Sequence, residues 1–130
     1  MTDSRTKKVN GREVAANTNC DGANLNHARL GGANLYSISL CNASMVESDL
    51  KGAYLAGARL VAADLTNAKL AGANLAGANL QRANLTGADL TGANLRRADL
   101  TGARLNATAL TGARFCQTVM PDMRLRNTDC

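Results

Sequence analysis

Four cysteines, a single histidine and a set of evenly spaced carboxylates are the residues of this chain that could do chemistry. Catalysis would need a nucleophile beside a base, a pair of carboxylates, or a metal held in a concave site. The spacing assembles none of these. Asp64, Asp89 and Asp99 occupy the same place in a repeating unit as Asn74, Asn79, Asn84 and Asn94, where a short polar side chain is expected to hydrogen-bond neighbouring backbone or water. His27 is the only histidine and no two cysteines stand close together, so a zinc set is not expected. Neither a cofactor nor an enzymatic activity is expected. Cys20 sits where most repeats carry leucine and should plug the first turn of the structure, whereas Cys41 follows a leucine and should point outward.

The elements that hold these residues are set by a period of five. Leucine recurs from Leu25 to Leu125, broken only by Met45, Phe115 and Met120, and alanine stands two places before most of them, with Ile38, Ser48 and Thr108 as exceptions up to Ala113. On an α-helix such residues would drift around the surface by roughly 140° per step. In a straight strand, an odd spacing would send successive leucines to opposite faces. The remaining geometry runs extended for about three residues, so that alanine and leucine share the inward side, then bends and repeats. A buried core this narrow leaves no cleft, since ligand pockets occupy roughly 300 Å³ or more.

The residue two after each leucine lies at the bend and reports how many sides close a coil. Gly32, Gly52, Gly72, Gly92 and Gly112 form an unbroken column at a spacing of twenty, and glycine suits the positive φ of a type II turn. Four pentapeptides per coil follow, giving an all-β, four-sided solenoid of about five coils over residues 21–120, roughly 24 Å long at the spacing of stacked strands. Leu65, Leu70, Leu75, Leu80, Leu85, Leu90, Leu95 and Leu100 are the expected core of its most regular part. On one side Arg29, Asp49, Lys69 and Asp89 alternate in sign at the same spacing, which puts opposite charges on neighbouring coils about 4.8 Å apart. One coil alone buries too few leucines to offset the entropy of ordering twenty residues, so stability belongs to the stack.

One domain is expected, with a polar arm and cap over 1–19, the repeat over 20–120 and an irregular capping tail over 121–130. The arm carries Arg5, Lys7, Lys8 and Arg12 and no apolar run, so the chain as written has neither signal peptide nor membrane span. A cytoplasmic location follows, or a periplasmic or secreted one if a leader precedes the mature protein. The net charge is +5. Arg96 and Arg97 share a corner, with Arg114 on the same side one coil later, a candidate basic patch for anions. Stacking aromatics and a groove-reading helix or ribbon are missing, so nucleic acid is disfavoured as a partner. Tyr36 and Tyr54 fall on one side, close to Ile38 and Val46, where exposed groups could form a protein contact; the favoured expectation is that they fill bulges where the repeat is imperfect. A bond between Cys116 and Cys130 would close a loop of about fifteen residues, worth around 3 kcal/mol, and fasten the tail over the open edge of the last coil. Two free thiols in a reducing compartment fit the residues equally.

Runs such as GANLAGANLQRANLTGADLTGANLRRADLTGARL over 72–105 resemble the pentapeptide-repeat family, in which alanine, an Asp or Asn, and a Leu or Phe precede two freer positions. The resemblance implies a right-handed quadrilateral β-helix. The tail FCQTVMPDMRLRNTDC, Phe115 to Cys130, is similar to the closing segment of many bacterial and cyanobacterial members, which favours the Cys116–Cys130 bond. The best characterised members mimic DNA and bind type II topoisomerases through acidic faces, dimerising through an aromatic C-terminal coil or helix. This chain departs from them, with fifteen basic residues against ten acidic ones and an Asp column interrupted by Arg29 and Lys69. What remains is a non-catalytic structural or protein-binding scaffold. A rod end left incompletely capped would allow a homodimer.

Overall fold

The computed structural model describes residues 7–130. Seventeen isolated parallel bridges, each joining residue i to residue i + 20, run from Asn19↔Ser39 to Asp99↔Val119 among the described residues. One coil therefore takes twenty residues, and each wall bonds to the coils on both sides. On the wall of Leu75, for example, Leu75 N–H donates to Asn94 O at 2.8 Å and Asn74 N–H to Ala53 O at 2.9 Å. Within each corner the chain turns on a short bond of the type Ala78 N–H to Leu75 O, 3.0 Å. The first wall is centred on Cys20, Leu40, Leu60, Leu80 and Leu100. The second is centred on Leu25, Met45, Leu65, Leu85 and Leu105, the third on Leu30 to Leu110, and the fourth on Leu35, Leu55, Leu75, Leu95 and Phe115.

The inward pair of each pentapeptide fills the interior. Leu65 through Leu100 and their alanines are at most 1% exposed, so the leucine and alanine side chains point into a dry core. The glycine column stacks: Gly72 N–H donates to Thr91 O and Gly92 N–H to Thr111 O, both at 2.9 Å. A Cβ added to Gly112 would lie 3.8 Å from the Gly92 nitrogen. These glycines take φ between +63° and +72°. The other three corners use the same left-handed backbone with a mixture of glycines and ordinary residues, the latter including His27, Glu47, Ala62, Arg82 and Arg97 at φ between +57° and +61°. Each such residue costs roughly 1–2 kcal/mol, and the ladder bonds on either side of the corner hold it there. Glycine marks one corner without being required at the rest.

The ends depart from the periodic pattern. The stretch read as an arm is, from Lys7, an antiparallel hairpin of β1 (Lys7–Val9) and β2 (Arg12–Val14), joined by Asn10 and Gly11 at positive φ. Asn-Gly between short strands is a sequence signal for such a two-residue turn. The hairpin caps the first coil: Asn10 Nδ2 donates to Asn24 O at 2.9 Å and Val14 is fully buried. Arg5 of the basic arm lies outside the described residues. At the other end, the last ladder contacts are Asp99↔Val119 and Gly102 N–H to Pro121 O at 3.1 Å. The chain then reverses through Met123, at φ +69°, and β3 (Thr118–Val119) pairs antiparallel with β4 (Leu125–Arg126). Leu125 keeps the five-residue count in sequence but not in space. It is 62% exposed, because the reversal carries it out of the wall that its number assigns.

Candidate functional site

The outward positions of the repeat are organised by the residue preceding each central leucine. Asn74 Oδ1 accepts the N–H of Ala76 at 3.0 Å, and Asp64, Asn79, Asn84, Asp89, Asn94 and Asp99 likewise accept the N–H two residues on. These carboxylates and amides are turn acceptors, tied to the backbone they help to bend. Thr91 holds the Asp89 carboxyl below the ordinary carboxylate range through its hydroxyl and its N–H. Burial pushes Asp99 up, but hydrogen bonds from Thr101 and Gln81 outweigh it and the net shift is downward. Where the repeat has Ser39 and Ser44 instead, an acceptor comes from the coil below. Asp21 Oδ1 takes Ser39 Oγ at 2.6 Å and Cys41 N–H at 2.9 Å, and Asn26 Oδ1 takes Ser44 Oγ at 2.6 Å and Val46 N–H at 2.8 Å. The Ser39 bond lowers the Asp21 carboxyl. A serine at this position paired with Asp or Asn eighteen residues earlier is a signal that the sequence carried unread.

The charged column of the third wall is in register, with Arg29↔Asp49, Asp49↔Lys69 and Lys69↔Asp89 bridged in turn. The expected pairing does not follow. Asp49 Oδ1 accepts its own turn's Lys51 N–H at 3.1 Å, and among the described residues the contacts within 4 Å between basic and acidic side chains are His27–Glu47, at 3.5 Å, and Arg124–Asp122, at 3.6 Å. The turn captures the carboxylate, leaving the neighbouring cations in solvent. Beside this column, His27, Glu47 and Asn67 stack on the corner between the second and third walls, and with Arg29, Asp49 and Lys69 they line an open groove of about 540 Å³. The core is filled as expected, but the absence of any cleft was expected of the whole rod. Long side chains standing out from adjacent corner and wall columns create this one on its outside. Among the described residues no three of His, Cys, Asp and Glu come close enough to hold a metal.

Tyr36 and Tyr54 fill no bulge. Both are on the fourth wall, one coil apart, with rings stacked at 5.8 Å and 15° and exposures of 45% and 42%. Ile38 is fully buried, and Val46 belongs to the opposite, second wall. Around the two rings the wall and the corner that follows it carry Asn34, Ser37, Ala56, Gly57, Asn74, Ala76 and Gly77, all uncharged, while the exposed Lys51 stands on the corner that leads into the wall. Further along this wall are the arginines of the candidate patch. Arg96 and Arg114 flank it and Arg97 turns onto the corner. Arg97 and Arg114 are exposed, whereas Arg96 is half-buried and donates to Asp129 O at 3.3 Å.

That contact belongs to the tail. Cys116 and Cys130 are disulfide-bonded, with Cα atoms 4.9 Å apart, while Cys20 and Cys41 are free, Cys20 buried with its Sγ donating to Glu13 O at 3.4 Å. Asp129 Oδ2 accepts Phe115 N–H at 3.0 Å, Asn127 Oδ1 accepts Gln117 N–H at 2.6 Å, and the Arg126 guanidinium lies 3.8 Å over the Phe115 ring. The Phe115 N–H, with Thr128, Arg126 and Arg96 adding to it, holds the Asp129 carboxyl low.

A family model for pentapeptide repeats matches the chain in eight copies, over residues 18–57, 33–72, 58–97, 78–115 and 98–129. Among solved structures, a pentapeptide repeat protein from the Arabidopsis thaliana thylakoid lumen is 33% identical, with 84% of this chain and 69% of that one covered and a TM-score of 0.53. One from Nostoc PCC 7120 is 41% identical over 70% of this chain and 63% of that one, TM-score 0.41. The protein Rfr23 from the cyanobacterium Cyanothece 51142 is 35% identical over 73% and 85%, TM-score 0.34. No curated protein matches the chain. With its twenty-residue coils and a family match running almost from end to end, this chain belongs to the pentapeptide-repeat family.

Proposed function

We propose that this protein is a non-catalytic, protein-binding scaffold whose working surface is the fourth wall around Tyr36 and Tyr54. The observation that carries this reading is the exposed aromatic stack on an uncharged stretch of wall, bordered by Lys51 at one corner, in a molecule with net charge +5. Tyrosine is among the residues that dominate binding energy at protein interfaces, and charge is depleted at their centres. The rod serves as a rigid display, a right-handed quadrilateral helix over 20–120 as the family resemblance implies, with residues 7–19 and 121–130 capping its ends. The test is affinity capture from the source cell, followed by mass spectrometry, with the natural protein and a Tyr36→Ala/Tyr54→Ala variant of equal stability. A partner retained by the first and lost by the second is expected. Identical capture by both would move the working surface elsewhere.

A second reading concerns the C-terminal end. The N–H groups of Leu105, Ala107, Leu110 and Gly112 have no partner among the described residues, and Leu105 and Leu110 are only partly buried. An open strand edge of this kind supports a homodimer through the rod end, which sedimentation would detect as a concentration-dependent mass. A DNA-mimicking topoisomerase binder is the alternative this surface favours least, because it would need a continuous acidic face where Arg29 and Lys69 interrupt Asp49 and Asp89. Gyrase inhibition would revive it. Binding of nucleic acid by Arg96, Arg97 and Arg114 would show as salt-sensitive retention, and with Arg96 engaged by the tail little is expected.

A further inference from the structure

Throughout the rod, the N–H of each central residue and of the residue two later donate to carbonyls nineteen positions ahead, as Leu95 does to Arg114 and Arg97 to Cys116. On the last turn of the fourth wall the corresponding donors are Phe115 and Gln117, and the reversal at Met123 brings the tail, not a regular coil, against them. Side-chain oxygens stand in for a coil's carbonyls: Asp129 Oδ2 for the first and Asn127 Oδ1 for the second. Asp129 N–H returns a bond to Phe115 O at 2.8 Å. The tail is thus a short imitation of a coil, held by polar contacts that are open to solvent and by one covalent tie. Cys130 is exposed and Cys116 is half-buried, so the tie can be attacked at Cys130 Sγ.

We propose that the Cys116–Cys130 bond is a redox-operated latch on this end of the rod. A dithiol reductant attacks Cys130 Sγ as a thiolate, and the S–S bond breaks with Cys116 leaving as the thiolate. The second thiol of the reductant then displaces Cys130. The reductant ends as a disulfide, and Cys116 and Cys130 take up two electrons and two protons as thiols. With the loop no longer closed, the detached population of the tail rises on the order of a hundredfold. Phe115 and Gln117 then join Leu105, Ala107, Leu110 and Gly112 in one continuous edge of unpaired donors. In the oxidised state the fourth-wall part of that edge is withheld from strand pairing. This mechanism stands whether or not the Tyr36 and Tyr54 wall is the binding face.

The test is amide hydrogen exchange on the full chain, oxidised and after a dithiol reductant, with thiol titration to establish that four thiols are free after reduction. Exchange at Phe115 and Gln117 should accelerate on the order of a hundredfold, while Leu75 and Leu80 stay protected. A Cys130→Ser variant should show the fast exchange without reductant and no further response to it. Unchanged exchange at Phe115 and Gln117 in a fully reduced protein would overturn the latch, as would loss of protection at Leu75 and Leu80 together with them, which would make the bond a general staple of the rod.

Discussion

Leu75 and Leu105 occupy the same place in the same five-residue unit, yet Leu75 is fully buried and Leu105 only partly so. The difference lies in their neighbours. Leu75 has a coil on both sides, each bonded to its wall, whereas no coil lies beyond Leu105 on the second wall. Burial in this protein is conferred by stacking, and the repeat supplies only the eligibility for it. The two tyrosines make a related point on the outside, since one stacks on the other only because twenty residues bring Tyr54 over Asn34, beside Tyr36.

The contrast is broken most severely by placing a charge in each setting. Leu75→Asp should destabilise the rod by about 4 kcal/mol or more, because it buries a carboxylate without a partner. Leu105→Asp should cost about 1–2 kcal/mol, since the new group can reach water. Thermal unfolding followed by circular dichroism checks both, and equal losses would refute the stacking account. A smaller effect compares two hydroxyls at the inward alanine position. Thr118 Oγ1 donates to Leu95 O at 2.7 Å in the last coil, whereas Ser48 Oγ, deep in the closed part, has no partner. Ser48→Ala should therefore stabilise by about 1 kcal/mol and Thr118→Val should destabilise by a similar amount. The smallest effect is local and depends on pH. Asp129 has a folded pKa below its ordinary value of 3.8, so its carboxylate supports the tail fully above that value and progressively less as pH falls through the lowered one. The Phe115 amide resonance should shift as pH falls from 5 toward 2. In Asp129→Asn, which keeps an acceptor oxygen but no charge, that shift should flatten.

Much of the fold was legible because a period of five has few geometric solutions and a glycine column at twenty selects one. The inward leucines, the turn acceptors and the register of the third wall followed from position alone. What the sequence hid depends on choices among partners that spacing does not rank. Asp49 had Arg29 and Lys69 in register but bonds the nearer Lys51 N–H. Leu125 had the right number, but the reversal at Met123 removed it from its wall. The His27 groove arises from long side chains on adjacent columns, and the stacking of Tyr36 on Tyr54 from an offset of eighteen residues that only a closed coil brings together.

Left-handed corners built from residues as different as His27, Ala62 and Arg97 have an evolutionary consequence. In each five-letter word two letters are read by the interior and three by the surroundings, and the three tolerate nearly any substitution that the bend accepts. A lineage can therefore rewrite what its rod recognises, one wall at a time, while the part that folds stays silent.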